Sequence, residues 1–284
     1  MSKLSSRLSA RSASPRDVEG ILAVGIARDI EDLGAPDWVL DDVREELAEA
    51  ERAWVVEDEA GRVLAAALLA GDGYAHVLVH PAACGQGVGT HLRELVEASA
   101  PAGSVLRQEV NGSNDAARAL LEAAGYRAEQ HYWRMAMGLE APVAVAAWPE
   151  RVSTRPYAPG DLAEAETLVR ESLPDFSGNL AARRVASDLS TVARAADGGS
   201  LAGVVLCERR EGQGFVSYLA VAPEWRGRGL GRALLADALT RMRAAGLERA
   251  ALGVNGRNES ATALYRSVGM RIENRADRYD KRLP

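Results

Sequence analysis

Residues Leu219–Gly231 read LAVAPEWRGRGLG, and this stretch decides the fold. An apolar run with strand character leads into the glycine-rich loop Arg226–Gly231, and Gly246 ends the helical pattern that follows. That pattern consists of apolar residues at helical spacing: Leu234, Leu235, Ala238, Leu239 and Met242. Glycines let backbone N–H groups approach an oxyanion, and a helix N-terminus adds its positive dipole end. The stretch therefore predicts a strand, a pyrophosphate-binding loop and a helix.

Two other phosphate-binding motifs do not fit this loop. A P-loop requires Gly-Lys-Ser/Thr, and neither of the two lysines, Lys3 and Lys281, follows a glycine. A dinucleotide-binding fold requires G-x-G-x-x-G and an acidic residue at the end of the next strand. Here the spacing is G-x-G-x-G, and Glu248 stands at the start of that strand. Both alternatives are therefore excluded.

The loop and its surroundings occur twice in the chain. Val79–Gly89 (VHPAACGQGVG) matches Val221–Gly231 (VAPEWRGRGLG) with a shift of 142 residues. Two further matches follow in the same order with a shift of 144 residues: Asn111–Asn114 with Asn255–Asn258, and Gly125–Glu129 with Gly269–Glu273. Blocks repeated in one order indicate a duplicated domain.

The duplication sets the predicted domain boundaries. Residues 141–150 are flanked by prolines and lack helical charge pairs, which is typical of a linker. We predict an N-terminal domain at 1–140 and a C-terminal domain at 151–284. In the second copy the patterns predict a strand, a helix or helices, three strands, a helix, a strand, a helix and a final strand. This order indicates an α/β fold with a mixed sheet.

Composition and charge narrow the classes of function. The chain is 47% hydrophobic and 26% charged, which is typical of a globular protein, and no apolar run approaches the roughly 18 residues of a membrane span. The start lacks a signal-peptide core, and Cys84 and Cys207 lie far apart, which favours a reducing cytoplasm. The net charge of −6 argues against a nucleic-acid partner. His76 and His80 flank a strand without a third ligand, so we expect no metal.

At this point two segments resemble known signatures of the GCN5-related N-acetyltransferases (GNAT). Leu219–Gly231 resembles their acetyl-CoA motif, Arg/Gln-x-x-Gly-x-Gly/Ala, and Asn258–Tyr265 followed by Gly269-Met270 resembles their second signature. The resemblance covers most of 151–284 and, in weaker form, about 11–138. It implies two tandem GNAT domains, each a mixed, mostly antiparallel sheet flanked by helices. The tandem arrangement is similar to that of mycothiol synthase.

The resemblance also implies roles for individual residues. Backbone groups of Leu219 and Val221 would pair with the pantetheine amides of acetyl-CoA, and Tyr265 would protonate the departing thiolate. Asn258 would bond to the cofactor, although asparagine also serves well as a helix N-cap. The full predicted cofactor-binding set is Leu219, Ala220, Val221, Arg226, Gly227, Arg228, Gly229, Leu230, Gly231, Arg232 and Asn258.

The general base is not fixed by the resemblance. The strand before the motif has no glutamate where many family members carry one. Glu208 on the preceding strand and Tyr218 are the candidates, directly or through a water. Each also fits an ordinary surface or core position.

The first copy lacks the arginines of the second copy and its proposed general acid. Arg226, Arg228 and Arg232 align with three uncharged residues: Cys84, Gln86 and Thr90. Tyr265 aligns with Leu121, while the glycines Gly85, Gly87 and Gly89 are kept. We therefore expect the first copy to be degenerate, either structural or binding without catalysis.

These observations predict an N-acetyltransferase that moves the acetyl group of acetyl-CoA to a primary amine of a small molecule by direct attack. A protein or peptide N-acetyltransferase and a non-catalytic acetyl-CoA-binding module are the alternatives. The acceptor is expected between the first helices, about 161–190 including Pro174–Phe176, and the cofactor cleft. We expect no membrane partner. The protein is expected to be either a monomer, in which the two domains form a pseudo-dimer, or a homodimer.

Overall fold

The structure, a computed structural model, describes residues 4–173, 180, 184–196, 199–210 and 212–284. It divides into two compact units. Unit 1 comprises Met1–Tyr132 and Asn274–Pro284, and unit 2 comprises Trp133–Glu273. Within the described ranges no helix has both the length and the apolar character needed to cross a bilayer.

Unit 1 is built on an antiparallel sheet of four strands in the order β1-β2-β3-β4. A second pair of strands, β5 and β12, is also antiparallel, with Val105 opposite Arg282. The elements in this part of the chain are β1 (Leu8–Ser12), α1 (Val18–Leu33), α2 (Leu40–Glu49), β2 (Ala50–Asp58), β3 (Val63–Ala70), β4 (Ala75–Val79), α3 (Val88–Ser99), β5 (Val105–Asn111), α4 (Asp115–Ala123), β6 (Arg127–Gly138) and the C-terminal β12 (Arg271–Arg282).

Unit 2 has the order of elements that the sequence predicts. Strands β7 to β10 are antiparallel neighbours, and β10 pairs in parallel with β11, so the sheet is mixed. The elements are β7 (Val152–Pro156), α5 (Leu162–Ser172), β8 (Thr191–Ala195), β9 (Leu201–Arg210), β10 (Gln213–Val221), α6 (Leu230–Ala244), β11 (Arg249–Asn255) and α7 (Glu259–Ser267). The predicted α/β fold class is confirmed.

Helix α6 packs closely on the sheet of unit 2. The apolar residues predicted for its inner face, Leu234, Leu235, Ala238, Leu239 and Met242, are all fully buried. Two strand glycines make room for them: a Cβ on Gly203 would lie 2.9 Å from Leu234 Cδ1, and one on Gly214 would collide with Met242. The helix that follows the glycine loop is therefore held directly against β9 and β10.

The two units do not coincide with the two sequence copies at their ends. Residues 274–284, which the repeat assigns to the second copy, belong to unit 1 because β12 pairs with β5. Residues 133–140, assigned to the first copy, belong to unit 2, where Leu139 N donates to Glu248 O at 2.8 Å. Sequence similarity marks the duplicated unit, whereas strand pairing decides which residues pack together.

Each copy also opens with the same ion pair to a buried aspartate, which the sequence comparison did not detect. Arg11 donates to Asp17 in the first copy, and Arg155 donates to Asp161 in the second, again with a shift of 144 residues. Both aspartates are buried, and each also accepts from the backbone N–H three residues earlier. The pair fixes the turn between the first strand and the first helix.

Replacing Asp161 with asparagine is expected to destabilise the protein by about 2 kcal/mol at pH 7, the scale of a hydrogen bond to a charged group. The guanidinium of Arg155 lowers the pKa of Asp161 to about 2. A lowered folded-state pKa means that the stabilisation is present above the unfolded-state pKa of roughly 4 and is lost as the pH falls through about 2. The measurement is urea unfolding of both proteins between pH 7 and pH 2.

The control for this variant is Asp188→Asn. Asp188 pairs with Arg209, but both side chains are about half exposed, 62% and 45%, so little stability should be lost. An Asp161→Asn effect no larger than that of Asp188→Asn, or one that does not shrink toward pH 2, would contradict a structural role for the buried aspartate.

Candidate active site

Strands β10 and β11 separate at the point where the glycine-loop motif begins. Their parallel register runs from Gln213–Arg249 to Val216–Leu252, and β10 then has an irregularity at Ser217 before its pairing with β9 resumes at Tyr218. Residues Leu219–Val221 keep β9 as their partner. On the facing strand, a Cβ on Gly253 would meet no atom within 4 Å. The opening between the two strands can therefore take an extended ligand that pairs with the free edge of β10.

The glycine loop Arg226–Gly231 lies between the end of β10 and the start of α6. Gly227 and Gly229 have φ angles of +72° and +84°, and a Cβ on either would point into open space. The first backbone N–H groups of a helix have no partner within it. Because α6 begins at Leu230, these donors and its positive dipole end lie directly behind the loop. This is the geometry of an anion site.

The three predicted arginines lie exposed around the loop. Arg226 Nε donates to Val221 O at 3.0 Å, and Arg228 stacks 5.3 Å from the ring centre of Trp225. A guanidinium nitrogen of Arg232 lies 3.5 Å from Ser267 O. None of these contacts is an ion pair with a carboxylate, so their charge remains available to an anion.

Tyr265 lies on α7, with 8% of its surface exposed. Its hydroxyl makes no hydrogen bond with any residue in the described ranges, and burial raises the pKa of Tyr265 to about 12. The phenol therefore keeps its proton throughout the physiological pH range. Asn258 is the N-cap of the same helix, and its Oδ1 accepts from Ala261 N at 3.0 Å. The capping alternative for Asn258 is thus confirmed, and its contact with a cofactor stays a prediction.

Glu208 lies next to the point where β10 and β11 separate. Its partner there is Ser217, a residue that the sequence analysis did not single out. Glu208 is buried on β9, and Ser217 Oγ donates to its Oε1 at 2.7 Å. Arg210 lies 3.7 Å from its other oxygen. Tyr218 pairs with Leu206 of β9 and packs beside a core cluster. A serine between apolar strand residues was the available signal for Ser217, because a half-buried hydroxyl in a sheet needs a partner.

The first copy keeps the loop geometry without the charges. Gly85 and Gly87 have φ angles of +74° and +79°, close to the values in the second copy. Leu121, in the place of Tyr265, is buried. A cavity of about 490 Å³ opens beside this loop and reaches Glu109 on β5. The first copy therefore has a formed cleft without the proposed acid.

Two predictions concern other parts of the chain. Helix α5 occupies the start of the predicted acceptor region, but Pro174–Phe176 lies outside the described residues. In the part of the chain that the structure describes, no three His, Cys, Asp or Glu side chains are grouped as metal ligands.

Comparison with known proteins gives consistent matches. The acetyltransferase (GNAT) family matches residues 27–126 and 155–270, one segment in each copy. The chain is 33% identical over 208 residues to the mycothiol acetyltransferase of Salinispora arenicola, covering 67% of each protein. It is 33% identical over 234 residues to the mycothiol acetyltransferase of Clavibacter michiganensis subsp. michiganensis, covering 76% of each.

Solved structures share the tandem architecture. A GCN5-related N-acetyltransferase from Sphaerobacter thermophilus superposes with a TM-score of 0.81 at 26% identity, covering 99% of this chain and 97% of that one. A tandem GNAT protein from the clavulanic acid biosynthesis pathway gives a TM-score of 0.75 over 97% and 98% of the two chains. Its identity of 18% supports the fold alone.

Proposed function

The chain belongs to the acetyltransferase (GNAT) family and is an N-acetyltransferase for small molecules, and on that premise we propose that the second copy, residues 151–284, transfers the acetyl group of acetyl-CoA to a primary amine. The observation that carries the proposal is the opening between β10 and β11, which ends at an open glycine loop surrounded by three exposed arginines. This arrangement fits a donor with an extended amide chain and a pyrophosphate.

Residues of the second copy would hold the donor as follows. The free edge of Leu219–Val221 pairs with the pantetheine amides, and the N–H groups of Arg226–Gly231 bind the pyrophosphate with help from Arg226, Arg228 and Arg232. Backbone N–H groups on β10 stabilise negative charge on the thioester carbonyl oxygen. Asn258 supports the site by capping α7, which carries Tyr265.

The residues next to the opening would move two protons. The acceptor nitrogen forms a bond to the thioester carbonyl carbon, and the carbon–sulfur bond breaks. Tyr265 gives its hydroxyl proton to the departing thiolate. The amine gives the proton it loses to Ser217 Oγ, and Ser217 gives its hydroxyl proton to Glu208. The existing hydrogen bond from Ser217 to Glu208 sets this direction. We assign Glu208 as the base through Ser217, and Tyr218 is the weaker candidate because it packs beside a core cluster.

Replacing Glu208 with glutamine is expected to lower kcat/KM at pH 7 by about a hundredfold, the lower end of the usual range of general-base catalysis. Glutamine preserves the size of the side chain and can still accept from Ser217, but it cannot take up a proton. Acetyl-CoA affinity should be unchanged. Steady-state kinetics and calorimetry of the variant test both statements, with the exposed Glu248→Gln as control. Turnover equal to that of the control would exclude Glu208 as the base.

For the acceptor we propose a mycothiol-related amine, because the relatives that match two thirds or more of the chain are mycothiol acetyltransferases. The test is mass spectrometry of the products formed from acetyl-CoA with the unacetylated amine precursor of mycothiol, and separately with a peptide bearing a free N-terminus. Acetylation of the peptide alone would favour a protein N-acetyltransferase. Donor binding without transfer to either would favour a binding module.

The first copy, residues 1–140, has a supporting role in this proposal, and 141–150 is the linker. It lacks the arginines and the acid of the second copy, so we assign all transfer to residues 151–284. The working protein is a monomer or a homodimer in the cytoplasm, where its two free cysteines stay reduced.

A further inference from the structure

The cleft of the first copy contains ionisable groups that the transfer reaction does not use. Strands β4 and β5 touch at a single bridge between Tyr74 and Arg107 and separate beyond it toward the glycine loop. His76 lies on β4 and Glu109 on β5, on the two sides of this separation. The place corresponds to the opening in the second copy where the reacting groups are assigned.

His76 is held in a defined orientation. Its Nδ1 bonds to Glu46 from α2, and the rings of Trp38 and Tyr74 pack edge-on against the imidazole at 5.6 Å and 5.0 Å. The side chains of His76 and Glu46 remain 27% and 29% exposed, so solvent reaches the pair. The other ring nitrogen, Nε2, has no hydrogen-bond partner among the described residues. An oriented imidazole with one free nitrogen is available to a ligand.

Glu109 adds a second carboxylate beside His76. Tyr74 lies beside it at the start of β4, and the side chain of Glu109 lines the cavity. Glu109 is exposed on β5, and partial loss of solvation beside its neighbours raises its pKa, although His76 and Tyr74 act against this. Burial lowers the pKa of His76, but the attraction of Glu46 and Glu109 outweighs it and the pKa lies above its usual value. The shift of His76 indicates that carboxylates outweigh other charges around the imidazole, whereas the raised pKa of Glu109 comes from lost solvation.

The remaining charged groups around the cluster do not remove this imbalance. Arg278 stands directly opposite Glu109 on β12 and acts on it, but it is shared with Asp280 at 3.0 Å. Tyr132 on β6 is a neutral phenol that acts on Tyr74 and Arg278. The cluster therefore has two carboxylates facing one imidazole and an arginine shared with Asp280, so a further cation can be accommodated beside Glu109.

The fold itself does not require these groups. By the repeat, the positions of His76 and Glu109 correspond to Tyr218 and Gly253 in the second copy, which has the same architecture. A polar network needed only for packing would be expected in both copies. The cluster is thus a property of the first copy alone.

The cavity next to Glu109 fits a small organic molecule. Its volume of about 490 Å³ lies in the usual range of roughly 300–1,000 Å³ for small-ligand sites. Apolar side chains form part of its wall, namely Val77, Val79, Leu120 and Leu121. Two ion-paired arginines also line it, Arg28 with Asp32 and Arg93 with Glu97. An occupant would have an apolar body and a polar end at Glu109.

We propose that the first copy binds a small molecule carrying a protonated amine, with the ammonium group against Glu109 and His76 and the apolar part in the cavity. The ammonium donates to the Glu109 carboxylate and to Nε2 of neutral His76, while Glu46 holds Nδ1. Binding therefore releases a proton from His76 wherever the imidazole was charged. No acetyl group is transferred here, and the site is separate from the acceptor site of the second copy.

The test uses three probes of one shape, hexylamine, hexanol and hexanoate, with the full-length protein. Proton NMR follows the ring signals of the four histidines, and a His76→Gln spectrum assigns the signal of His76. Hexylamine should bind about tenfold more tightly than hexanol, the factor expected from a charged hydrogen bond. At saturation it should lower the titration midpoint of His76. Because His76 itself reports the binding, occupancy of the second copy does not interfere.

Glu109→Gln is the decisive variant, and Glu19→Gln, at an exposed position of α1, is its control. The first should remove the preference for hexylamine over hexanol, and the second should keep it. Equal binding of hexylamine and hexanol to the wild type, tighter binding of hexanoate, or a preference that survives Glu109→Gln would overturn the proposal. If Glu109→Gln does not fold, the probe series on the wild type decides the question alone.

Discussion

Replacing Gly229 with aspartate is expected to weaken acetyl-CoA binding at least about a hundredfold, or roughly 3 kcal/mol. The new carboxylate would stand where the N–H groups of the loop and the positive end of α6 receive the pyrophosphate. Calorimetric titration of the purified variant with acetyl-CoA gives the affinity directly.

The chain provides a matched control for this variant. Gly87 in the first copy has φ +79°, against +84° for Gly229, and a Cβ on either meets no atom within 4 Å. Gly87→Asp therefore carries the same backbone strain, so any difference between the two variants reports the cofactor. Equal losses of affinity would mean that strain alone acts. A loss confined to Gly87→Asp would place the donor in the first copy.

Tyr265→Phe is expected to lower kcat by about a hundredfold to a thousandfold, within the usual range for a general acid. The variant keeps the ring in the core cluster and removes only the hydroxyl, which has no hydrogen bond to any residue in the described ranges. Stability and acetyl-CoA affinity should therefore stay close to those of the wild type. Single-turnover kinetics with saturating donor measures the chemical step.

The pH profile supplies a second readout. Because burial raises the pKa of Tyr265 to about 12, its acid form persists across the accessible pH range. The activity should not fall at alkaline pH on account of this residue. Tyr157→Phe, at another buried tyrosine of unit 2, is the control for the loss of a phenol. Unchanged turnover in Tyr265→Phe would remove the acid from the mechanism and favour unassisted departure of the thiolate.

Local sequence patterns predicted the elements around the glycine loop well. Helix periodicity identified the buried face of α6, and Gly246 and Gly269 mark the ends of the helices as expected, with φ angles of +76° and +103°. These features depend on interactions within a few residues, where steric rules act directly. The same holds for the N-cap at Asn258.

Contacts between distant elements could not be read in this way. The Ser217–Glu208 hydrogen bond depends on the register of a hairpin and an irregularity in β10. The pairing of His76 with Glu46 joins a strand to a helix 30 residues earlier. A polar residue in a strand shows that a partner is needed, but the partner follows only from how the elements pack.

The exchange of end strands determines how the protein can be divided for expression. A fragment ending at residue 140 would lack β12, the neighbour of β5 in unit 1, and a fragment starting at 151 would lack residues 133–140 of unit 2. Neither half of the gene encodes a complete unit. Independent expression of the copies should therefore give unstable products, and the two fragments should regain structure only when produced together and allowed to complement each other.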